Sequence, residues 1–523
     1  MNESDCPSAT ALARRQAAGE ASARAELERR LVLLERLNPR LNAVVIRCDQ
    51  TARAEAAAAD EAARTGQSLG RLHGVPITVK ECFGVQGTDS TAGLPTLVGK
   101  TCRTDGPQIA ALRRAGAVLM GKTNLSQLML FHECDNPVYG LARNPWDAAR
   151  TPGGSSGGEA AALAAGLSCL GLGSDIGGSI RVPAHFCGVH ALKPTPGRVT
   201  LAGSINQELF TGQEAVADAA GPMARRVEDL ATAMRVLADA APGDADPSQP
   251  PLPIMSRRDQ GVDGLSIGFY EDNGWFAAAP AVRRAVRSAA DVLARRGCRV
   301  TGFRPPDTDT GMQLYFALLT ADGGDRLWRR MQGGLIDRRL RSLRRLSVLP
   351  VALRPLLAAL LRAGGQRDLS RLVRHTGPRN TSAYWDLVAE ARAWRQRFLT
   401  AMKHAGVDVL LSPPHALPAL IHGASEYLAG AASYAMIYNL LGMPAGVVSV
   451  TRVRDGEESD RRPGRDFIQR QAQRVEMGSA GLPIGVQVAA RQWQDARVLS
   501  VMAELERGFA ERPDYPLGMQ AGE

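Results

Sequence analysis

At 523 residues, 45% hydrophobic and 22% charged, the chain is long enough for a large core and has the apolar content of an ordinary globular protein. Its formal net charge of +10 fits either a solvated basic surface or attraction to an anionic surface. Aromatic residues make up only 5% and no Arg/aromatic-interleaved stripe is present, which argues against single-stranded nucleic acid as a partner.

In chain order, residues 11–66 carry apolar positions at helical spacing and predict two helices joined by a turn at Asn38-Pro39, a scaffold that wraps the core. Val75 to Val79 reads as a short buried strand ending on Lys80-Glu81. A helix over 105–117 and a strand over Ala117–Met120 follow. An Ala-rich helix is expected over 157–167, directly after a Gly/Ser turn, and Leu170–Gly173 is expected as an irregular segment. The Pro/Asp-rich stretch 241–264 predicts an exposed connector. Beyond it, strand 265–270, helix 281–296 and strand 299–303 resume the alternation. A helix and a strand at Val407–Leu411 lie within 382–411, and strands are expected over 445–451 and 484–489. Residues 454–479 are charged and are expected as a mobile excursion. Alternating strands and helices predict an α/β protein with a large, mixed, mostly parallel twisted sheet and helices on both faces. The organisation expected is a helical scaffold (1–69), a catalytic domain (70–510) and a C-terminal tail (511–523).

The eight cysteines form no C-x-x-C pair and no zinc spacing, so they are expected as small buried hydrophobes in a reducing compartment. No stretch reaches the ~18 apolar residues of a spanning helix. The first residues, MNESDCPSATALARRQ, lack an apolar run, which argues against a secretory leader. A cytoplasmic protein is expected.

Three segments carry chemistry: Gly74 to Glu81, Pro152 to Gly158 and Gly173 to Arg181. A serine hydroxyl is a poor nucleophile at neutral pH and needs a base within reach and donors for the oxyanion. The run Ile176-Gly177-Gly178-Ser179 offers successive backbone N–H groups, the raw material of an anion nest. Lys80, if shielded from water, could give up a proton and act as base. Taken alone, the Gly/Ser-rich loop also fits a flexible loop or a phosphate cradle. Its G-x-S-x-G (153–157) lacks the preceding strand a nucleophile elbow needs, and no Gly-Lys-Ser/Thr follows for a Walker loop.

The order and spacing of the three segments, with Lys80 75 residues before Ser155 and Ser155 24 before Ser179, resemble the amidase signature family. The resemblance implies Ser179 as nucleophile, Ser155 as relay and Lys80 as base. It implies an oxyanion hole from the N–H groups of Ile176, Gly177, Gly178 and Ser179, and a cis peptide bond before Ser155. Ser156, Asp175 and Arg181 would brace the site. No histidine is assigned a catalytic role, and no metal or cofactor is expected. Ile176, where the family at large has threonine, resembles the fatty acid amide hydrolases, as do Asn144-Pro145-Trp146, Gly221 to Arg225 and Ser433 to Asn439. That likeness places Met129, Leu130 and Phe131, with Ser155, against the substrate, and implies a small-molecule amide with an apolar acyl group. It implies a homodimer as well.

Residues 338–374 hold ten arginines, one acidic residue (Asp368) and leucines at helical spacing interrupted by Pro350 and Pro355. This composition suits a segment lying in a membrane interface, and it occupies the position of the family's membrane cap, so peripheral membrane contact is expected. A packed helix pair or a subunit interface is the other reading. Rival functions are an amidase acting on aryl or small amides, carbamates or esters, a tRNA-dependent amidotransferase subunit, and a non-catalytic membrane-binding protein. The leucine/arginine cap and Ile176 weigh against the second, and the intact Lys80/Ser155/Ser179 set against the third.

Overall fold

The computed structural model describes residues 8–210, 212–238, 246, 249–250, 261–347, 349–462 and 464–516. Its centre is one sheet built from β1 (Val44–Arg47), β2 (Pro76–Lys80), β3 (Val118–Thr123), β4 (Leu170–Asp175), β5 (His190–Lys193), β6 (Ala219–Ala224), β7 (Ser266–Phe269), β8 (Arg299–Gly302), β9 (Val409–Ser412), β10 (Ala445–Arg452) and β11 (Pro483–Ala490). The strand order is β1-β3-β2-β4-β6-β5-β10-β11-β9-β7-β8. Every residue of β2, β4 and β11 is buried, the mark of strands covered on both faces. On β10 the alternation is visible directly: Val447 packs with Ala160 and Ala184, while Val448 joins the main core cluster.

The α/β class is as expected, but the balance of strand directions is not. β2 runs parallel to β3 and β4, and β7 runs parallel to β8 and β9. The remaining neighbours, from β4 through β6, β5, β10 and β11 to β9 and at the β1–β3 edge, are antiparallel. Strand–helix alternation implies parallel pairing only where the connection carries the chain back to start the next strand from the same end; in the middle of this sheet the successive strands β5 and β6, and β10 and β11, are neighbours but run antiparallel.

Four local expectations change. Leu170–Gly173 belongs to β4, because side chains from the helix Gly157–Ala164 and its N-cap occupy the space its glycines leave free. A Cβ on Gly171 would strike the Glu159 carboxyl, and one on Gly173 would lie 2.8 Å from Ser156 Oγ. Pro39 does not interrupt the first scaffold: the helix Ala23–Leu41 carries it in its last turn and stops at Asn42 in the left-handed region (φ 49°). There the Asn38 side chain accepts from the N–H groups of Ala43 and Val44 at 2.9 Å and turns the chain into β1. The charged stretch 454–479 contains the helix Phe467–Glu476, which buries Ile468, Ala472 and Val475. Its Glu476 pairs with Arg461 at 2.7 Å. Pro355 starts the helix Arg354–Ala363 rather than breaking one.

The N-terminal helices do wrap the core. Asp229 caps the helix Ala9–Ala17 by accepting from the N–H groups of Ala9 and Thr10 at 2.9 and 2.8 Å. Leu27, Leu31 and Leu34 pack with Ala52, Ala56, Val118 and Met120. The connector expected over 241–264 falls largely outside the described residues. Of the tail 511–523, residues 511–516 are described, and the Tyr515 hydroxyl lies 3.1 Å from His190 Nε2.

Candidate active site

The parallel pairing of β2 with β4 sets Val79 opposite Leu172, so Lys80 and Ser174 emerge together at the carboxyl ends of two central strands. Sites in open α/β sheets collect at such ends. Two Gly-rich loops close over this edge. One holds Ser155 and leads into the helix Gly157–Ala164; the other holds Ser179 and leads into the helix Arg181–Cys187. Ser156 ties the loops to each other and to β4. Its N–H donates to the Ser179 carbonyl at 3.0 Å and its hydroxyl to the Ser174 carbonyl at 3.3 Å. The Gly154–Ser155 peptide bond is cis.

Lys80 is wholly buried and Ser155 is 1% exposed. The Nζ lies 2.7 Å from Ser155 Oγ, 2.9 Å from Ser174 Oγ and 3.4 Å from the Ser174 carbonyl. Among the described residues these oxygens are its hydrogen-bond partners, and none belongs to a carboxylate. Ser179 is 5% exposed.

Asp175 and Arg181 form a fully buried ion pair beside the Ser179 loop. The guanidinium donates to the Asp175 carboxylate through Nε (3.0 Å) and Nη2 (2.9 Å). It also donates to the Ala435 carbonyl, to Gln487 Oε1 and to Asn439 Oδ1 at 2.6–2.8 Å. The carboxylate further accepts from the N–H groups of Gly178 (2.7 Å), Ile180 (3.1 Å) and Arg181 (3.4 Å). Burial alone would raise the Asp175 carboxyl, but the charge and hydrogen bonds of Arg181 hold it well below the usual carboxylate range.

Of the four N–H groups expected to form an oxyanion hole, one already has a partner in this structure. The Gly178 N–H is taken by Asp175, because a buried anion holds the nearest strong donor. The N–H groups of Ile176, Gly177 and Ser179 have no acceptor among the described residues. The carbonyls of the same turn are pinned from outside. Tyr315 donates its hydroxyl to the Ile176 carbonyl at 3.1 Å, and His132 donates Nε2–H to the Gly177 carbonyl at 3.0 Å. Only glycine suits either middle position. Gly178 has φ +106°, and a methyl placed on it would lie 2.9 Å from both Ala435 and Val182; a methyl on Gly177 would strike the Tyr315 hydroxyl.

Met129 and Phe131 are buried, and Leu130 is half-buried beside them. This segment abuts the Ser155 loop: a methyl on Gly154 would run into the backbone of Phe131 and Glu133. Cys134 supports the same turn, accepting from the Gly157 N–H at 3.1 Å, and burial pushes its thiol up to about 12, which keeps it inert. Both ring nitrogens of His185 are engaged, one with the Leu417 carbonyl at 3.1 Å and the other with the Gly485 N–H at 2.9 Å. Reading the sequence missed Ser174, Tyr315, Asn439 and Gln487. Asn439 and Ser174 lie in stretches already singled out, Ser433 to Asn439 and Gly173 to Arg181, whereas Tyr315 and Gln487 sit in a helix and a strand with no local motif.

The family model described as Amidase matches residues 27–499. "Fatty-acid amide hydrolase 1" of Sus scrofa is 38% identical over 450 residues, covering 85% of this chain and 77% of that protein. A glutamyl-tRNA(Gln) amidotransferase subunit of Synechococcus sp. (strain RCC307) is 32% identical over 515 residues, covering 95% of this chain and 97% of that one. Among solved structures, "Fatty acid amide hydrolase" superposes with a TM-score of 0.84 at 24% identity, covering 97% of this chain and 85% of that one. A match that runs from the scaffold helices through both Gly-rich loops to the last helix leaves one assignment: the chain belongs to the amidase signature family and is an amide hydrolase.

Proposed function

We propose that the protein hydrolyses amides of fatty or other apolar acyl groups to carboxylic acid and amine, with Ser179 as nucleophile, Ser155 as relay and Lys80 as base. The observation that carries this reading is the 2.7 Å contact of Lys80 Nζ with Ser155 Oγ inside a site closed to water. The Lys80 amine takes the Ser155 hydroxyl proton, and Ser155 takes the proton of Ser179 as Ser179 Oγ attacks the carbonyl carbon. The resulting oxyanion accepts from the free N–H groups of Ile176, Gly177 and Ser179. As the C–N bond breaks, the proton returns through Ser155 to the leaving amine. Water, deprotonated by the same relay, then releases the acid from Ser179.

The apolar acyl group draws support from the Met129–Phe131 segment beside the relay loop and from the likeness to fatty acid amide hydrolases. The surface of the segment 338–374 supports access from a lipid phase. Leu343, Val351, Leu353, Leu356 and Leu360 are all exposed, Leu356 and Leu360 by 61% and 62%. Exposed aliphatic side chains in that number on one segment are unusual on a monomer facing water alone. Not every arginine of the segment serves this face. Arg339 is buried against Glu133 at 3.0 Å, and Arg354 is buried and donates to the Leu349 carbonyl. No helix of the described residues is long and apolar enough to cross a membrane.

Hydrolysis of a series of straight-chain acyl amides tests the substrate class. The proposal expects kcat/KM to rise with chain length. A maximum on acetamide or an aryl amide would overturn it in favour of a small-amide hydrolase.

A further inference from the structure

The contacts around Ser174 extend beyond the three reacting side chains. Ser174 Oγ, 2.9 Å from Lys80 Nζ, also accepts from Asn206 Nδ2 at 2.9 Å. The same Nδ2 donates to Asp218 Oδ2 at 2.6 Å, and Asp218 Oδ1 accepts from the Ala219 N–H at 2.8 Å. Asn206 is 3% exposed and Ser174 2%.

The fold fixes this chain of contacts from both ends. Asn206 is the second residue of the helix Ile205–Leu209. That helix is fastened to the segment leaving β2 by the Ile205 N–H to the Cys82 carbonyl at 3.0 Å and by a bridge between Phe83 and Ser204. Asp218 directly precedes β6, which pairs with β4 so that Ala220 faces Ser174. The segment leaving β2 therefore fixes the Asn206 end of the link, and β6, the neighbour of β4, fixes the Asp218 end.

We infer that Asn206 and Asp218 are positioning residues for Lys80, acting through Ser174 to orient its amine and set its proton affinity. The inference rests on the Ser179/Ser155/Lys80 reading. Asn206 Nδ2 can only donate, so it occupies one acceptor site of Ser174 Oγ. Ser174 Oγ then takes one N–H of Lys80 on its remaining acceptor site, and the Ser174 carbonyl takes another. A neutral amine held by two N–H groups is left with its lone pair for the third direction, which is Ser155 Oγ.

The charge argument runs alongside the geometric one. Asp175 has Arg181 as its counter-cation, whereas the hydrogen-bond donors of Asp218 are the neutral Asn206 and a backbone N–H. The charges that act on Asp218 are Lys80 and Asp175, and it acts in turn on Lys193, Tyr315 and Cys82. Burial pushes the Tyr315 and Cys82 groups up, so both are neutral across the working range, and it brings Lys193 down to about 7. Burial pushes the Asp218 carboxyl above the ordinary carboxylate range, against the hydrogen bond of Asn206 and the charge of Lys80. In its ionised form it places a negative charge behind the Asn206–Ser174 link, and Asp218→Asn removes that charge.

The test is the pH profile of fluorophosphonate labelling and of amide hydrolysis for Asp218→Asn and Asn206→Ala, with Ser179→Ala and Lys80→Ala as references. Asp218→Asn is expected to move the acid limb of kcat/KM lower by about 0.5–1 pH unit while the plateau of kcat falls. Asn206→Ala, which cuts the link but keeps the charge, is expected to lower kcat about 10-fold with KM nearly unchanged. It carries the test if Asp218→Asn does not fold. Loss of labelling in Ser179→Ala and slowed labelling in Lys80→Ala, together with an unmoved acid limb in Asp218→Asn or an unchanged kcat in Asn206→Ala, overturns this inference alone. Labelling that persists in Ser179→Ala overturns the triad reading beneath it.

Discussion

Arg181→Met is the perturbation whose size follows most directly from the site. The wild-type guanidinium makes five hydrogen bonds with no water in reach: two to Asp175 and one each to Ala435, Gln487 and Asn439. Methionine fills much of the same volume but leaves the Asp175 carboxylate buried with only the Asn439 amide and backbone N–H donors. Breaking a buried ion pair from one side costs about 3–5 kcal/mol. Against the ~5–15 kcal/mol that holds most domains together, that is a large share. Asp175→Asn leaves the guanidinium charge uncompensated and is expected to cost a similar amount. The double variant removes both charges, so its loss should fall short of the sum by about 1–3 kcal/mol.

Equilibrium denaturation of the four proteins near neutral pH, followed by near-ultraviolet circular dichroism, measures this. The wild-type contribution is at full strength there. A carboxyl held below its ordinary value stabilises the fold above the unfolded-state value of 3.8, and that stability is lost only as pH falls through the lower folded-state value. Losses that add to within about 0.5 kcal/mol, or an Arg181→Met loss below about 1 kcal/mol, would refute the reasoning.

Two further outcomes are expected. Glu159 is buried among the Thr78 and Thr123 hydroxyls, and burial pushes its carboxyl up to about 8. The folded state therefore holds a proton that the unfolded state releases near 4.5, and stability should fall as pH rises between those values. Glu159→Gln should lose less stability than wild type between about pH 5 and 8; parallel unfolding profiles would contradict this. For the lipid face, replacing Leu353, Leu356 and Leu360 with serine should reduce co-sedimentation with anionic phospholipid vesicles while short soluble amides are still cleaved. A wild-type protein that never binds such vesicles would remove the membrane reading.

The parts of the molecule legible in the sequence are those that local chemistry dictates. The strand ending on Lys80, the Ala-rich helix after the Gly/Ser turn and the helix Pro280–Arg295 all follow from periodicity and turn residues. The site was legible through three short segments whose residues must meet at one sheet edge. Long-range choices were hidden. Whether β4 pairs parallel or antiparallel depends on which strand arrives beside it, and Leu170–Gly173 looked irregular because the space its glycines leave is filled by Glu159 and Ser156 of the preceding helix and its cap. The Gly178 N–H looked available because the reach of the Asp175 carboxylate across the turn is a tertiary fact. Asn206 and Asp218 gave no signal either: an Asn in a short helix and an Asp before a strand acquire meaning only from Ser174 between them.

The central claim is that Ser179, and not Ser155 in its G-x-S-x-G setting, forms the bond to the substrate carbonyl. Mapping the serine modified by a fluorophosphonate probe, by mass spectrometry of peptides from wild type, Ser155→Ala, Lys80→Ala and Ser179→Ala, tests it most directly. The account expects the label on Ser179 in wild type, slower labelling of the same residue in Ser155→Ala and Lys80→Ala, and none in Ser179→Ala. A label on Ser155, or on any serine in Ser179→Ala, would contradict it.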